Sequence, residues 1–218
     1  MSLSETKTPK VTHIYARDPH DFYIEPEWCS RRLFDVENFD GLILDPACGT
    51  GRIVQAAINS GHKAYGTYIV DRGCLGSDQH RVDYLSEALL VANIVSNPPF
   101  GAAEKFVRKA LQEAGRKVAM LLPATWHLGD KRARWLATTP LQKILFMTPR
   151  PSMPPGKSIL SGLKPGSGTK DFAWFVWHQG YCGKPEVDWL HRDHDPKFIS
   201  LGDAAASVVE KLAQRRAK

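Results

Sequence analysis

The run Gly41-Leu-Ile-Leu-Asp-Pro-Ala-Cys-Gly-Thr-Gly51, leading straight into Arg52-Ile-Val-Gln-Ala-Ala57, constrains this chain more than any other stretch. Leu42, Ile43 and Leu44 form an apolar triplet short enough for a strand buried on both faces. Asp45 and Pro46 end that strand, and Gly49 and Gly51 follow in a turn where the backbone can approach a ligand closely. The helix that the spacing predicts over residues 52–60 begins with unpaired N–H groups pointing at this turn. Strand, glycine turn and helix together make one nucleotide-binding unit of the doubly wound kind. The third glycine of the dinucleotide fingerprint is missing, so the glycines do not by themselves specify a ligand.

A second stretch narrows the reading. Ala92-Asn-Ile-Val-Ser-Asn-Pro-Pro-Phe100 is again a short apolar strand, and it ends in the tetrapeptide Asn97-Pro98-Pro99-Phe100, 52 positions after Asp45. With D-P-x-C-G-x-G first and N-P-P-F second, the chain resembles the S-adenosylmethionine-dependent amino-methyltransferases, above all the adenine-N6 methyltransferases of nucleic acids. Arg150-Pro151-Ser152 and the strand Ala173-Trp-Phe-Val-Trp177 resemble the small phage and prophage DNA adenine methyltransferases in particular. The resemblance implies an α/β, Rossmann-like class I methyltransferase fold, a mostly parallel seven-stranded sheet with helices on both faces. It implies S-adenosylmethionine as cofactor, held by Asp45, Ala47, Cys48, Gly49 and Gly51, with Asn97 touching cofactor and target alike.

Other parts of the family pattern are met unevenly. Tyr23 and Pro26 match a Y-x-T-P segment that lies against the methionine part of the cofactor, but Glu25 replaces the threonine; an ordinary amphipathic helix covering the sheet is the alternative there. Residues 63–70 read as the second strand. Tyr68 stands where the family has an acid for the ribose hydroxyls, and Asp71 is the nearest acid. Asp83, in Arg81-Val-Asp-Tyr-Leu85 after the third strand, matches the aspartate that accepts the cofactor's adenine amine.

Length and charge set the outer bounds. The chain has 218 residues, 43% hydrophobic and 24% charged, which suits one α/β domain with a full core. Residues 1–18 read as a mobile arm and 19–218 as a single catalytic domain. No signal-peptide pattern and no long apolar run is present, so a cytoplasmic protein without a membrane partner is expected. The four cysteines form no C-x-x-C pair, and His191 and His194 read as a polar turn, so no metal is expected. A net charge of +6 permits a polyanionic partner, although part of it sits in residues 211–218.

Further elements follow from pattern alone: helices over 102–114, from 131, and over 203–215, with strands over 118–122, 141–148 and 171–177. Between the last two strands, residues 149–170 hold five prolines and four glycines, and read as a long functional loop. Arg150, Lys157, Lys164 and Lys170 lie along it, and Lys131, Arg132 and Arg134 follow the fifth strand. Both segments follow strand carboxyl ends, so these seven cations are the expected phosphate-binding set.

The chemistry implied for the tetrapeptide is physically reasonable. The exocyclic nitrogen of adenine is a poor nucleophile because its lone pair is delocalised into the ring. The Asn97 side-chain oxygen and the Pro98 carbonyl can each accept one amine hydrogen and localise that pair. Pro98 and Pro99 stiffen the turn, which pre-organises both acceptors. Phe100 offers a stacking face for the base. Adenine in DNA is the expected target, reached from a duplex by base flipping. Adenine in RNA and glutamine of a protein are the alternatives sharing N-P-P.

Overall fold

A computed structural model describes residues 21–70, 81–162, 166 and 168–193. Among them lie seven strands, β1 (Ile43–Asp45), β2 (Ala64–Gly66), β3 (Val91–Ser96), β4 (Ala114–Pro123), β5 (Leu141–Thr148), β6 (Phe172–His178) and β7 (Glu186–His191). They form one sheet in the order β2-β1-β3-β4-β6-β5-β7. Every neighbouring pair is parallel except the two made by β6, which runs antiparallel between β4 and β5.

Helices cover both faces. α1 (Glu27–Val36) and α2 (Arg52–Asn59) pack on one, while α3 (Ala103–Glu113) and α4 (Asp130–Leu136) pack on the other. The central strands alternate between these two cores because side chains switch face at every residue. Val118, Met120 and Leu122 of β4 join α3, whereas Ala119 and Leu121 join α1 and α2. In β6, Ala173, Phe175 and Trp177 take the first core and Trp174 and Val176 the second. A strand buried on both faces is apolar along most of its length, which is why A-W-F-V-W was legible as one.

Several elements differ from the sequence expectation: β1 excludes the half-exposed Leu42 and includes Asp45, and β4 begins at Ala114 rather than 118. The second strand stops at Gly66, because Thr67 turns to serve the glycine loop: its N–H donates to the Asp45 carbonyl at 2.9 Å, and its own carbonyl accepts from Cys48 N–H at 3.1 Å. The 149–170 loop contains a short helix, α5 (Gly156–Leu160). β7 was not anticipated, and His191 is its last residue rather than part of a turn. The strand entering Asn97 is the third among the described residues, so Asp83 precedes the third strand rather than following it. Asp71, Lys164, His194, the 1–18 arm and the 203–215 helix lie outside the described residues. None of the described helices is long and apolar enough to cross a membrane.

The topology places the site. From β1 the chain steps to β2 on one side, then returns to β3 on the other, so a crevice opens at the carboxyl ends of β1 and β3. The segment before α1 closes over it, because the Phe22 carbonyl accepts from Gly156 N–H at 2.8 Å and Tyr23 bridges to Pro155. A Cβ on Gly156 would sit 2.0 Å from the Phe22 ring, so only glycine permits this contact.

Candidate active site

Asp45 and Ser96 end the two strands that part at the crevice. Asp45 is 1% exposed, and its Oδ1 accepts from Ser96 Oγ at 2.7 Å and from the Ala47 N–H at 3.1 Å. The buried carboxylate thus ties the glycine loop to the strand that carries Asn97. Gly49 and Gly51 both take positive φ, +53° and +84°, where a side chain would be strained. The Gly51 N–H donates to the Cys48 carbonyl at 2.7 Å and closes the turn ahead of α2.

Two hollows meet at this loop, and a third lies beyond Asp21 and Tyr23. A narrow recess is lined by Tyr23 and Glu25 on one side, by Asp45, Ala47, Cys48 and Gly49 on the other, and by Arg52, Tyr68 and Asn97. Next to it, a cleft of about 290 Å³ has apolar walls from Pro46, Ile69, Val82, Pro99 and Phe106, with Asp83 and Tyr68 at its side. Beyond Tyr23, a cleft of about 530 Å³ is lined by Tyr23, Phe100, Met153, Pro155, Lys170 and Phe172. Asp21 borders all three, and its Oδ2 accepts from the Gly101 N–H at 2.9 Å.

Asn97 follows β3 directly. Its Nδ2 donates to the Tyr23 carbonyl at 3.1 Å and to Glu25 Oε2 at 2.9 Å. Glu25 is 6% exposed, and burial pushes its carboxyl pKa up, against the Asn97 bond that favours the charge. The Glu25 carbonyl accepts from Arg52 Nη1 at 2.8 Å. The Tyr23 ring stacks on Phe100 with centroids 5.7 Å apart and planes 13° apart, and Phe100 also leans on Phe172 at 5.6 Å. Sequence alone presents Phe100 as an open platform; the structure sets it in a row of three rings.

The remaining expected residues fall into groups. Asp83 caps a turn, accepting from Leu85 N–H at 3.1 Å and Ser86 Oγ at 2.8 Å, while its carboxylate borders the apolar cleft. Tyr68, 8% exposed, lies where recess and apolar cleft join. Pro26 is set apart, in a separate hollow with Trp28, Arg150 and Arg192.

The seven cations are not one free set. Arg132 pairs with Glu104 at 3.2 Å, donates to the Trp126 carbonyl and covers the Trp126 ring, so its role is to hold α4. Arg134 pairs with Asp130 at 3.2 Å and Arg150 with Asp171 at 2.6 Å. The two acids nearest these cations in the sequence are the ones that engage them. Lys131 and Lys157 are exposed, and Lys170 borders the 530 Å³ cleft. Sequence reasoning missed Glu25 and Arg52 as site residues. Glu25 was visible only as a departure from a family pattern, and Arg52 only as the first residue of a helix.

No protein-family model matches this chain, and no curated protein matches it. Solved structures do match. A proposed class I S-adenosylmethionine-dependent methyltransferase of Listeria monocytogenes superposes with a TM-score of 0.58 at 16% identity, over 88% of this chain and 71% of that one. A modification subunit of a proposed type I restriction enzyme from Vibrio vulnificus gives 0.56 at 13% identity, over 89% of this chain and 53% of the other. The 23S rRNA methyltransferase ErmE gives 0.50 at 14% identity, over 73% and 70%. At such identities the likeness is one of fold: the sheet is that of the class I methyltransferases.

Proposed function

We propose that this chain is an S-adenosylmethionine-dependent methyltransferase acting on the exocyclic amine of adenine in DNA. The observation that carries the reading is the position of Asn97, directly after β3: it lines the glycine-loop recess and binds the carbonyl of Tyr23, which lines both that recess and the aromatic cleft. The donor set suits an elongated cofactor with a zwitterionic end. Arg52 brings a cation to the recess for a carboxylate, Tyr68 stands at the joint, and Asp83 borders an apolar cleft fit for a purine. The cofactor, when bound, supplies a methyl group on a sulfonium.

The chain's own residues do the rest. With both Asn97 amide hydrogens engaged by Tyr23 and Glu25, the side-chain oxygen is the atom left to accept from a target amine. The Pro98 carbonyl is the second acceptor. Together they favour a tetrahedral nitrogen with its lone pair aimed at the methyl. The rings of Tyr23, Phe100 and Phe172 line the neighbouring cleft and offer apolar faces to a base. Lys170 at its border suits a phosphate flanking a flipped base. Arg150 and Arg134 hold exposed, solvent-screened ion pairs, so exchanging an aspartate for a phosphate costs them little.

The test is a tritiated-methyl transfer assay offering DNA, RNA and a glutamine-bearing peptide side by side, with calorimetric titration of the cofactor. Saturable one-to-one cofactor binding and label in the adenine of DNA are expected. Label in the peptide alone would overturn the nucleic-acid reading, and absence of cofactor binding would overturn the whole.

A further inference from the structure

A side-chain amide has nearly the same shape either way round, so its partners decide which end points where. At Asn97 the decision is one-sided. The nitrogen end meets two oxygens, the Tyr23 carbonyl at 3.1 Å and Glu25 Oε2 at 2.9 Å. Reversed, the amide would set its own oxygen against both, and one of them belongs to a carboxylate.

A backbone carbonyl alone would supply a single neutral hydrogen bond. The carboxylate adds a charge-assisted one, roughly twice as strong. It does so from a buried position, where an unneutralised carboxylate is costly to keep. Among the described contacts no ion pair is made with the Glu25 carboxylate; Arg52 binds its backbone carbonyl, which anchors the residue and brings a cation near enough to favour the charge, and Oε2 is left for Asn97. Pro26 stiffens the chain directly after it. On its other side, residues 22–24 are gripped by 154–156, with Ile24 N–H donating to the Pro154 carbonyl and Gly156 N–H to the Phe22 carbonyl. A buried acid fixed from both sides and aimed at one amide is more apparatus than packing needs.

We propose that Glu25 is a positioning residue that fixes the Asn97 side chain so that its oxygen, not its nitrogen, faces the reacting amine. The proposal rests on the methyl-transfer reading for its consequence, while the orientation itself can be measured without any turnover. Glu25 would then be the reason the third position of Tyr23-Ile-Glu-Pro26 is an acid in this chain: a threonine there is too short to reach an amide from the same backbone.

The deciding substitution is Glu25→Gln, which keeps the shape but can present either an oxygen or a nitrogen to Asn97, so both amide orientations become possible. In nitrogen-15 spectra of the full chain, the Asn97 side-chain NH2 pair, identified by its loss in Asn97→Asp, should be protected from solvent exchange. That protection should fall in a Glu25→Gln protein whose backbone spectrum stays dispersed. In the methyl-transfer assay, kcat should fall about 10- to 100-fold, the worth of one charge-assisted hydrogen bond, with the cofactor KM within about threefold. Glu25→Asp, which keeps the charge on a shorter arm, should recover part of kcat where Glu25→Gln does not. Unchanged Asn97 resonances in Glu25→Gln, or unchanged kcat in a protein that does transfer methyl, would overturn the proposal. A locked amide in a wild-type protein that methylates no adenine would support the orientation and sink the proposed function, so the two failures are separable.

Discussion

Helix α1 is flanked by a buried glutamate on either side, and the two are satisfied in opposite ways. Glu37, just past its carboxyl end, lies at the edge of the sheet where strands begin, and accepts from Lys117 Nζ at 2.7 Å and Lys143 Nζ at 2.5 Å. Burial works against its charge, but the two lysines win and hold the carboxyl below the ordinary range. Glu25, just before the amino end, lies at the edge where strands finish and meets a neutral amide; burial wins there and pushes its carboxyl up. A buried carboxylate matched by cations fastens β4 and β5 to the helix. One matched by an amide beside a recess is kept at a cost in stability, and such imbalance is characteristic of working sites. One helix therefore joins a structural end to a functional end.

Breaking the functional end should cost activity and spare the fold. Asn97→Ala should lower kcat by about 10²–10³-fold, the usual loss when one pre-organised group facing developing charge is removed. Cofactor affinity should stay within a few-fold by calorimetry, and the protein should remain folded, losing about 1–3 kcal/mol for the buried Glu25 oxygen left without its amide partner. Near wild-type turnover in this variant would place the amine acceptor elsewhere.

The structural end should show the reverse. Glu37→Gln leaves two part-buried lysines without their counter-charge, and breaking such a pair costs about 3 kcal/mol. Denaturant unfolding should show that loss while kcat of the remaining folded enzyme is unchanged. Loss of turnover without loss of stability would dissolve the contrast between the two ends.

A pH series sharpens the same comparison. Glu37, with its folded pKa lowered from 4.5, contributes stability above that value and loses it as pH falls through the folded pKa. Glu25, with its folded pKa raised from 4.5, acts with the opposite sign: stability declines as pH rises from about that value through the folded one. The decline on the upper side should vanish in Glu25→Gln, and the loss on the acid side should vanish in Glu37→Gln. Identical pH profiles for wild type and both variants would mean that neither carboxyl is shifted.

The smallest effects belong to the rim. Asp83→Ala should weaken cofactor binding by about 1–2 kcal/mol, one hydrogen bond's worth, with part of the change reflecting the turn it caps. Lys170→Ala should lower the salt dependence of nucleic-acid binding by about one unit of slope for each phosphate no longer neutralised. Arg132→Ala should instead lower stability and leave that slope alone, since Arg132 is committed to Glu104 and Trp126. An equal change of slope in both variants would return Arg132 to the phosphate-binding set.

What the sequence determined by itself is local. The strand, the glycine turn and α2 lie within 17 consecutive residues, positions 43–59, so backbone geometry dictates them with little help. The doubly buried strands were legible because burial on both faces leaves little room for polar residues. β7 was not, since four of its six residues are exposed and an edge strand carries no such signature. What only the tertiary structure decided is which polar groups meet. Glu25 and Asn97 are 72 positions apart, Ser96 and Asp45 51, and Lys143 and Glu37 106. The meaning of a charge depends on the partner and the burial it finds after folding. Before folding, Glu25, Glu37, Arg132 and Lys170 were simply four ionisable side chains; the sheet order made the first an orienting group, the second a fastening, the third a brace and the fourth a rim cation.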